Sequence, residues 1–249
     1  GSYGVASLYY TGALQTVTYD VPTYRFRGAR AFTNKPPGGP KRGHGTTQPR
    51  FAVEVHLDKI AEELKLDPAE LRLRRWKERF RELPYGRGLG LACSSYITGA
   101  GLPIYWNDMP HSGAQIKCDR GGGVTIFCGS TDIGQGSESV LAYVTAEVLG
   151  IEPADIKVVT ADTDLTPVDL GSYSSRVTLM TGQAALQAAS RVRDLIASAV
   201  ATKLDVPVDR LVFGGGRVFD AQEPDTGLTF REAVGVAEAR ALRERYEAH

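Results

Sequence analysis

Apolar side chains recur at helical spacing between Phe51 and Leu64, with acidic and basic side chains at the positions between them. A repeat of about 3.6 residues is typical of an amphipathic helix, so the pattern predicts a helix that begins at Gln48. Asp67 then suits a helix cap, and Pro68 suits a first helical turn. A second helix is therefore predicted from Ala69 onward, and the run of arginines that it carries is predicted to form a solvated face, with an interface contact as the alternative.

The second half of the chain alternates short apolar runs with longer helical patterns, without a strict strand–helix–strand repeat. Such a mixture predicts an α+β (mixed α/β) fold. The segment 84–88, rich in Gly and Pro, predicts a domain boundary, with one domain at 1–83 and another at 84–249. The predicted elements are strands at 88–99 and 155–160, hairpins at 112–130 and 212–220, and helices at 139–149, 178–204 and 230–241.

The N-terminal region reads as a buried, small-residue segment (1–24), followed by a short strand candidate at Gly28–Asn34. A loop rich in Pro and Gly comes next, from Lys35 to Phe51, and its backbone can approach a ligand closely. Within it, Arg42 offers a planar fork of donors for oxo or phosphate groups, and His44 is the aromatic polar side chain. The alternative is a solvated loop with a surface arginine.

Two glycine-containing turns each precede a predicted helix, one at Gly134–Gly136 and one at Gly171–Ser175. The unpaired N–H groups and the dipole at a helix N-terminus favour an anion. Two such turns predict a bound group with several anionic or polar ends. The alternative is that both turns are plain helix caps.

Composition narrows the function classes. The chain has 249 residues, of which 42% are hydrophobic, and 29 basic residues balance 29 acidic ones. The zero net charge gives no indication of nucleic acid or of an anionic membrane as a partner. No apolar run approaches a membrane span, and the three cysteines form no CxxC pair, so no zinc or iron–sulfur site is indicated. Unpaired cysteines of this kind predict a reducing, cytoplasmic location.

Four motifs carry a family resemblance, and they cover nearly the whole chain in one order: Thr33–Gly45 (TNKPPGGPKRGHG), the helix pair from Phe51 to Arg74, Thr131–Val140 (TDIGQGSESV) and Asp162–Ala185. The chain resembles the central part of the molybdenum-binding subunit of the xanthine oxidase family. The resemblance implies parts of two molybdenum-cofactor-binding domains. Within the family, PPGGPKRGHG and DTDLTPVDLGSYSSRVT are most similar to the 4-hydroxybenzoyl-CoA reductase branch.

The resemblance implies a molybdenum-pterin cofactor, expected as the cytosine dinucleotide, and no metal ligand from the chain itself. Arg42 would lie beside the metal-bearing end of the cofactor, and His44 would face the substrate, where hydroxylating relatives often have an aromatic residue. Tyr9 and Tyr10 are expected near the same pocket. The remaining cofactor contacts are expected from Gly43, from Ile133, Gly134, Gln135 and Gly136, and from Ser172, Ser174, Ser175, Arg176 and Val177.

The implied function is an oxidoreductase that removes the phenolic hydroxyl of 4-hydroxybenzoyl-CoA, with Arg42 and His44 as catalytic residues. Iron–sulfur and FAD partner subunits would supply the electrons. Two alternatives are a hydroxylase of an N-heterocycle or an aldehyde, and a non-catalytic partner that seals the dinucleotide end of the cofactor.

The chain also departs from the family pattern. It lacks the earlier segment that brings a Gln toward the metal, and it lacks the C-terminal part that carries the general-base Glu. A helical stretch usual between Arg74 and Trp76 is missing, and the ending ALRERYEAH differs as well. The expectation is therefore one piece of a split subunit, completed by a second chain, or part of a longer chain.

Overall fold

A computed structural model gives the fold. It describes residues 4–19, 21–36, 42–72, 85, 91–93, 96, 98–99 and 111–247. The chain divides into two compact units, Gly1–Ile97 and Thr98–His249. The predicted boundary between residues 83 and 84 lies outside the described residues and stays a prediction. Much of the predicted strand at 88–99 lies outside them too, and its described residues, 91–93, 96 and 98–99, are not in a strand.

The first unit begins with a helix, α1 (Gly4–Ala13), where the sequence indicated only a buried small-residue segment. The helix that follows, α2 (Thr47–Glu63), confirms the prediction from Gln48 onward. Arg50 of α2 is buried, and its guanidinium donates to the carbonyl oxygens of Leu14 at 2.6 Å and Gln15 at 3.1 Å. A cation is favourable at a helix C-terminus, so this contact joins α2 to the end of α1.

The short helix α3 (Pro68–Arg72) has the predicted cap, because the Asp67 carboxylate accepts from the N–H groups of Ala69 and Glu70 at 2.8 and 3.1 Å. The prediction of a solvated arginine face is wrong at Arg72, whose side chain is 1% exposed. Arg72 bonds to the carboxylates of Glu54 and Asp58, one turn apart on α2, at 2.8 and 2.7 Å. The later arginines of this run lie outside the described residues.

The strand predicted at Gly28–Asn34 is also wrong, because residues 21–33 are exposed and form no strand. Strand formation requires a partner for the backbone hydrogen bonds. The described residues of the first unit include no other strand that could provide one.

The second unit contains the predicted hairpin, with β1 (Ala114–Cys118) antiparallel to β2 (Val124–Cys128). Its turn is held by the Asp119 carboxylate, which accepts from Gly121 and Gly123 N–H at 2.8 and 3.0 Å. A third strand, β3 (Ile156–Thr160), pairs parallel to β2. Parallel strands cannot be joined by a tight turn, so a helical crossover connects β2 to β3.

That crossover is α4 (Ser137–Leu149), which begins two residues before the predicted helix. The long predicted helix is also present: a π-helical turn (Val177–Thr181) leads into α5 (Gly182–Leu204). Both helices pack on the sheet, and alternate residues of β2 point into the core. The buried core includes Val124, Ile126, Cys128, Leu141, Leu149, Ala185, Ile196 and Val200.

A second, smaller sheet completes this unit. The predicted hairpin is formed by β4 (Leu211–Gly214) and β5 (Arg217–Asp220), and β6 (Gly227–Thr229), which the sequence pattern did not indicate, pairs with β5. The closing helix α6 (Phe230–Glu247) runs six residues beyond its predicted end. The mixed helix and strand fold is confirmed, and none of the described helices is long and apolar enough to cross a membrane.

Candidate functional site

The first predicted turn is an exposed loop, 131–136, between β2 and α4. Gly134 and Gly136 have φ angles of +99° and +77°, which other residues rarely adopt. No atom lies within 4 Å of a Cβ built on either glycine, so the space beside both is open. The loop therefore exposes the backbone of two glycines, and a flat ligand could lie against it.

A carboxylate of the chain itself occupies the anion-favouring end of this loop. Asp132 Oδ1 accepts from Gly134 N–H at 2.7 Å. This hydrogen bond, helped by the amides of Gly136, Glu138 and Ser137, lowers the pKa of Asp132 below its ordinary value. The sequence predicted free N–H groups at this turn, but the Asp132 carboxylate already accepts from the N–H of Gly134.

The Gln135 side chain braces the same loop. Its Oε1 accepts from Ile133 N–H at 2.6 Å, and its Nε2 donates to the Thr131 carbonyl and to the Ser137 hydroxyl, both at 3.1 Å. The Ile133 side chain is 72% exposed beside it. The amide predicted to contact the cofactor thus also holds the loop in shape.

The two predicted turns lie side by side. The Ser172 hydroxyl accepts from Thr131 N–H at 3.2 Å and donates to the Thr131 carbonyl. In the second turn Ser174 and Ser175 have φ angles of +54° and +52°. Positive φ at two consecutive residues other than glycine is a strained conformation of the kind found at functional sites. The side-chain hydroxyls of these two serines bond to no other residue among those described.

A buried ion pair supports the second turn. Arg176 and Asp169 have fully buried side chains, and their closest atoms are 2.7 Å apart. Arg176 also donates to the Gly171 carbonyl, while Asp169 accepts from Gly171 N–H at 2.8 Å and from Thr181 Oγ1 at 3.1 Å. The pair therefore holds both ends of the turn.

This arrangement changes the interpretation of two predicted contact residues. The Arg176 guanidinium is buried in the pair, and the Val177 side chain is also buried. The backbone N–H and carbonyl of Arg176 bond to Tyr173 and Met180, so the predicted cofactor contact of Arg176 stays a prediction. The sequence analysis missed Asp169. The available signal was an acidic and a basic residue bracketing a Gly/Ser turn, in DLGSYSSR, because charges rarely become buried unless they are paired.

The third predicted group belongs to the first unit. Arg42 has a φ of +46° and an exposed side chain, and its guanidinium makes no ion pair or hydrogen bond with any described residue. Gly43 follows with a φ of +76°, and its carbonyl accepts from Thr46 N–H at 3.0 Å. The loop thus presents an arginine on a tightly turned backbone.

His44 is half-buried against α1. Its Nε2 lies 2.7 Å from the Ser7 hydroxyl, and its ring meets the Tyr10 ring edge to face at a centroid distance of 5.1 Å. Burial lowers the pKa of His44 below its ordinary value. Of the two tyrosines expected near this residue, Tyr10 is 3% exposed and contacts it, whereas Tyr9 is 62% exposed.

The residues of the second unit fit a large polar ligand such as a pterin. Open space lies beside two loop glycines, and two neighbouring serine hydroxyls have no described partner. Ser130, directly before the loop, is fully buried, and its hydroxyl has no partner within the described residues. Across the described residues, no cluster of three His, Cys, Asp or Glu side chains could hold a metal ion directly.

Comparison with known proteins identifies the family. Two molybdopterin cofactor-binding domain families match the chain, one over residues 1–76 and the other over residues 63–248. The chain therefore belongs to the molybdopterin-binding domains of the xanthine oxidase family, and the resemblance inferred from the motifs is confirmed at this level.

Individual relatives agree with this assignment. The chain is 29% identical over 243 residues to the xanthine dehydrogenase molybdenum-binding subunit of Escherichia coli O157:H7, covering 82% of this chain and 32% of that protein. It is 29% identical over 268 residues to subunit gamma of the 6-hydroxypseudooxynicotine dehydrogenase complex of Paenarthrobacter nicotinovorans, covering 90% and 33%. The chain thus spans about a third of the length of these relatives.

Among solved structures, the quinoline 2-oxidoreductase of Pseudomonas putida 86 superimposes with a TM-score of 0.64 at 26% identity, covering 80% of this chain and 31% of that one. The Cu,Mo-CO dehydrogenase superimposes with a TM-score of 0.57 at 23% identity, which supports the fold.

Proposed function

We propose that this chain is the molybdopterin-binding part of a molybdenum oxidoreductase that acts on an aromatic substrate. The observation that carries the proposal is the contact of Ser172 with Thr131, which joins the two turns into one exposed surface. Loop glycines with open space form one side of this surface, and the hydroxyls of Ser174 and Ser175 form the other. A dinucleotide pterin has many polar edges, and both sides of this surface could contact them.

The charges suggest how the proposed cytosine dinucleotide form would lie. Asp132 places a negative carboxylate on the Gly134 N–H of the first turn, which disfavours a phosphate at that turn. Gly134, Gln135 and Gly136 would therefore face uncharged edges of the pterin. The phosphates would bind to the hydroxyls and backbone of Ser174 and Ser175 in the second turn.

Cofactor content tests this proposal in the native complex. The double variant Ser174→Gly/Ser175→Gly keeps the positive φ angles, which glycine tolerates, and removes both hydroxyls. We expect it to lower the molybdenum and nucleotide content of the purified complex. The matched control is Ser139→Ala, an exposed serine on α4, which should leave both unchanged. Absence of molybdenum or tungsten from the wild-type complex would overturn the proposal.

For the reaction, we propose reductive dehydroxylation of 4-hydroxybenzoyl-CoA to benzoyl-CoA, because the motifs PPGGPKRGHG and DTDLTPVDLGSYSSRVT are most similar to that branch of the family. When bound, the cofactor supplies the redox chemistry, and iron–sulfur and FAD subunits of a cytoplasmic complex supply the electrons. The Arg42 guanidinium, exposed and without a described partner, would stabilise negative charge as it develops on the substrate. His44 would donate a proton as the hydroxyl leaves as water.

The second candidate is hydroxylation of an N-heterocycle, with the general base supplied from outside this chain. The names of two relatives, quinoline 2-oxidoreductase and 6-hydroxypseudooxynicotine dehydrogenase, favour it. Assays of the complex with 4-hydroxybenzoyl-CoA and a low-potential electron donor, and with quinoline and an electron acceptor, discriminate the two. Turnover of quinoline alone would replace the first reaction by the second. A loaded complex in which Arg42 and His44 variants keep full turnover would favour the cofactor-sealing role.

A further inference from the structure

The first unit carries an unbalanced charge ahead of α2. Residues 21–49 include six basic side chains and no acidic one, although basic and acidic residues are equal in number over the whole chain. Four of the six lie on residues 21–35, which we call the basic segment: Arg25, Arg27, Arg30 and Lys35. Every residue of this segment is exposed. A local excess of exposed positive charge attracts anions.

The arginines of the basic segment have no counter-ion in the described part of the chain. The guanidinium groups of Arg25, Arg27 and Arg30 make no ion pair or hydrogen bond with any described residue. A guanidinium presents a planar fork of donors that matches phosphate oxygens. Three such groups close together in the sequence suit a ligand with several phosphates.

Contacts with α1 hold the basic segment in place. The Tyr24 hydroxyl donates to the Gly12 carbonyl at 3.0 Å. The Phe26 ring covers the same glycine, since a Cβ built on Gly12 would lie 2.5 Å from Phe26 Cδ1, and Gly28 lies against the Leu8 side chain. The segment therefore runs antiparallel along α1, and two of its arginines alternate with the residues that hold it.

The same helix carries the loop that contains Arg42. The His44 ring meets the Tyr10 ring at a centroid distance of 5.1 Å, and the Thr11 hydroxyl donates to the Gly45 carbonyl at 2.8 Å. Both contacts fall on the part of α1 that also holds the basic segment. One short helix thus supports the proposed catalytic residues and the exposed arginines.

An aromatic side chain accompanies these arginines. Phe32 follows Arg30 by two positions, and its side chain is fully exposed. Adenine rings stack on aromatic faces, and a guanidinium can hold a phosphate of the same nucleotide. The exposed ring and the guanidinium groups together provide the two kinds of contact that a nucleotide requires.

We propose that the basic segment binds the nucleotide end of a coenzyme A thioester. This inference rests on the proposed function, in which such a thioester is the substrate. Coenzyme A carries its adenine and phosphates at the far end of a flexible arm, away from the acyl group. The acyl ring can therefore lie at Arg42 and His44 while the phosphates contact the arginines of the basic segment. The adenine stacks on Phe32.

Calorimetric titration of the native complex with coenzyme A tests the proposal without turnover. The triple variant Arg25→Gln/Arg27→Gln/Arg30→Gln should weaken the binding of coenzyme A by about 10-fold, the combined effect of three exposed charge contacts. Phe32→Ala should weaken it as well. Pantetheine, which lacks the nucleotide, should bind to the wild type and to these variants alike.

The matched control removes three exposed positive charges from α5 and α6. This variant, Arg191→Gln/Lys203→Gln/Arg243→Gln, should bind coenzyme A as the wild type does. Equal weakening in both triple variants would overturn the inference, and so would a wild type that binds coenzyme A no more tightly than pantetheine. Loss of molybdenum from the arginine variant would assign the segment to the cofactor instead. Dissociation of its complex would assign the segment to an acidic partner subunit.

Turnover separates this inference from the proposed reaction. If both hold, the arginine variant should raise KM for 4-hydroxybenzoyl-CoA by about 10-fold with little change in kcat, because the segment contributes only to binding. Arginine-dependent binding of coenzyme A without turnover of this thioester would support the binding site and contradict the reaction. Turnover with an unchanged KM in the arginine variant would contradict the binding site and leave the reaction standing.

Discussion

The two regions that carry the predicted site residues are held in shape by different means. In the second unit, the turn that contains Ser174 and Ser175 is supported by the fully buried pair of Asp169 and Arg176. In the first unit, the loop around His44 is held by the close approach of Gly45 to α1 and by neutral hydroxyls such as that of Thr11. One region depends on a buried charge pair and the other on backbone fit.

This difference matches the chemistry proposed for each region. The second unit presents hydroxyls and glycine surface, which bind a ligand without a change of charge. The first unit presents a guanidinium and an imidazole, which can stabilise charge or transfer a proton. A buried ion pair beside His44 would shift its pKa through its charges, whereas in this frame of neutral groups the pKa of His44 is lowered by burial.

The largest expected effect comes from breaking the buried pair. Arg176→Met leaves the Asp169 carboxylate buried without its partner, which typically lowers the free energy of unfolding by about 3–5 kcal/mol. Urea unfolding measures the loss. The control Arg191→Met removes an exposed arginine of α5 and should change stability by less than about 0.5 kcal/mol. Similar losses in both variants would show that the pair does not hold the second turn.

Substitution of Gly45 should have the next largest effect on the stability of the protein. Gly45→Ala places a Cβ 2.8 Å from the Ser7 carbonyl oxygen at a φ of +75°, and a strained φ alone costs about 1–3 kcal/mol. The control, Gly235→Ala on α6, meets open space and should stabilise the protein by about 0.5–1 kcal/mol. Thermal unfolding should therefore shift in opposite directions, and a shift of both variants in the same direction would contradict the backbone-fit explanation.

Loss of the contact between the two glycine-containing turns should have a smaller effect on stability. Ser172→Ala removes the hydrogen bonds to Thr131, and a typical intramolecular hydrogen bond contributes about 0.5–1.5 kcal/mol. Native-state hydrogen exchange should report faster exchange of Thr131 N–H in this variant. Unchanged exchange would indicate that the two turns keep their positions independently.

The smallest effect is expected from Asp132, and it depends on pH. Hydrogen bonding to Gly134 N–H lowers the pKa of Asp132 in the folded protein, so its contribution to stability is present above the ordinary aspartate pKa of about 3.9. That contribution is lost as the pH falls through the lowered value. Asp132→Asn should therefore lose less stability than the wild type over this acidic range. NMR titration of Asp132 gives the pKa itself, and an ordinary value would contradict the assignment.

Sequence reasoning succeeded where a single local pattern decides the structure. The cap at Asp67, the hairpin turn at Asp119–Gly123 and the helix before Gly150 depend on neighbours a few residues away. It failed for α1, whose Gly-, Tyr- and Thr-rich composition hides the helix, and for the Gly28–Asn34 strand, whose pairing partner is absent among the described residues. It also assigned Arg72 to solvent, because the carboxylates of Glu54 and Asp58 that bury it lie on another helix.

The motifs alone determined the family, because their order along the chain is specific even though each short turn is weak evidence. The glycines at 134 and 136 also allow the positive φ angles of their turn. Only the tertiary structure decided which donors remain available there. It placed Asp132 on the N–H of Gly134, joined Ser172 to Thr131 and buried Arg176 against Asp169. It also brought Ser7 to His44. Hydrogen bonds and ion pairs between distant segments depend on packing, which local sequence does not encode.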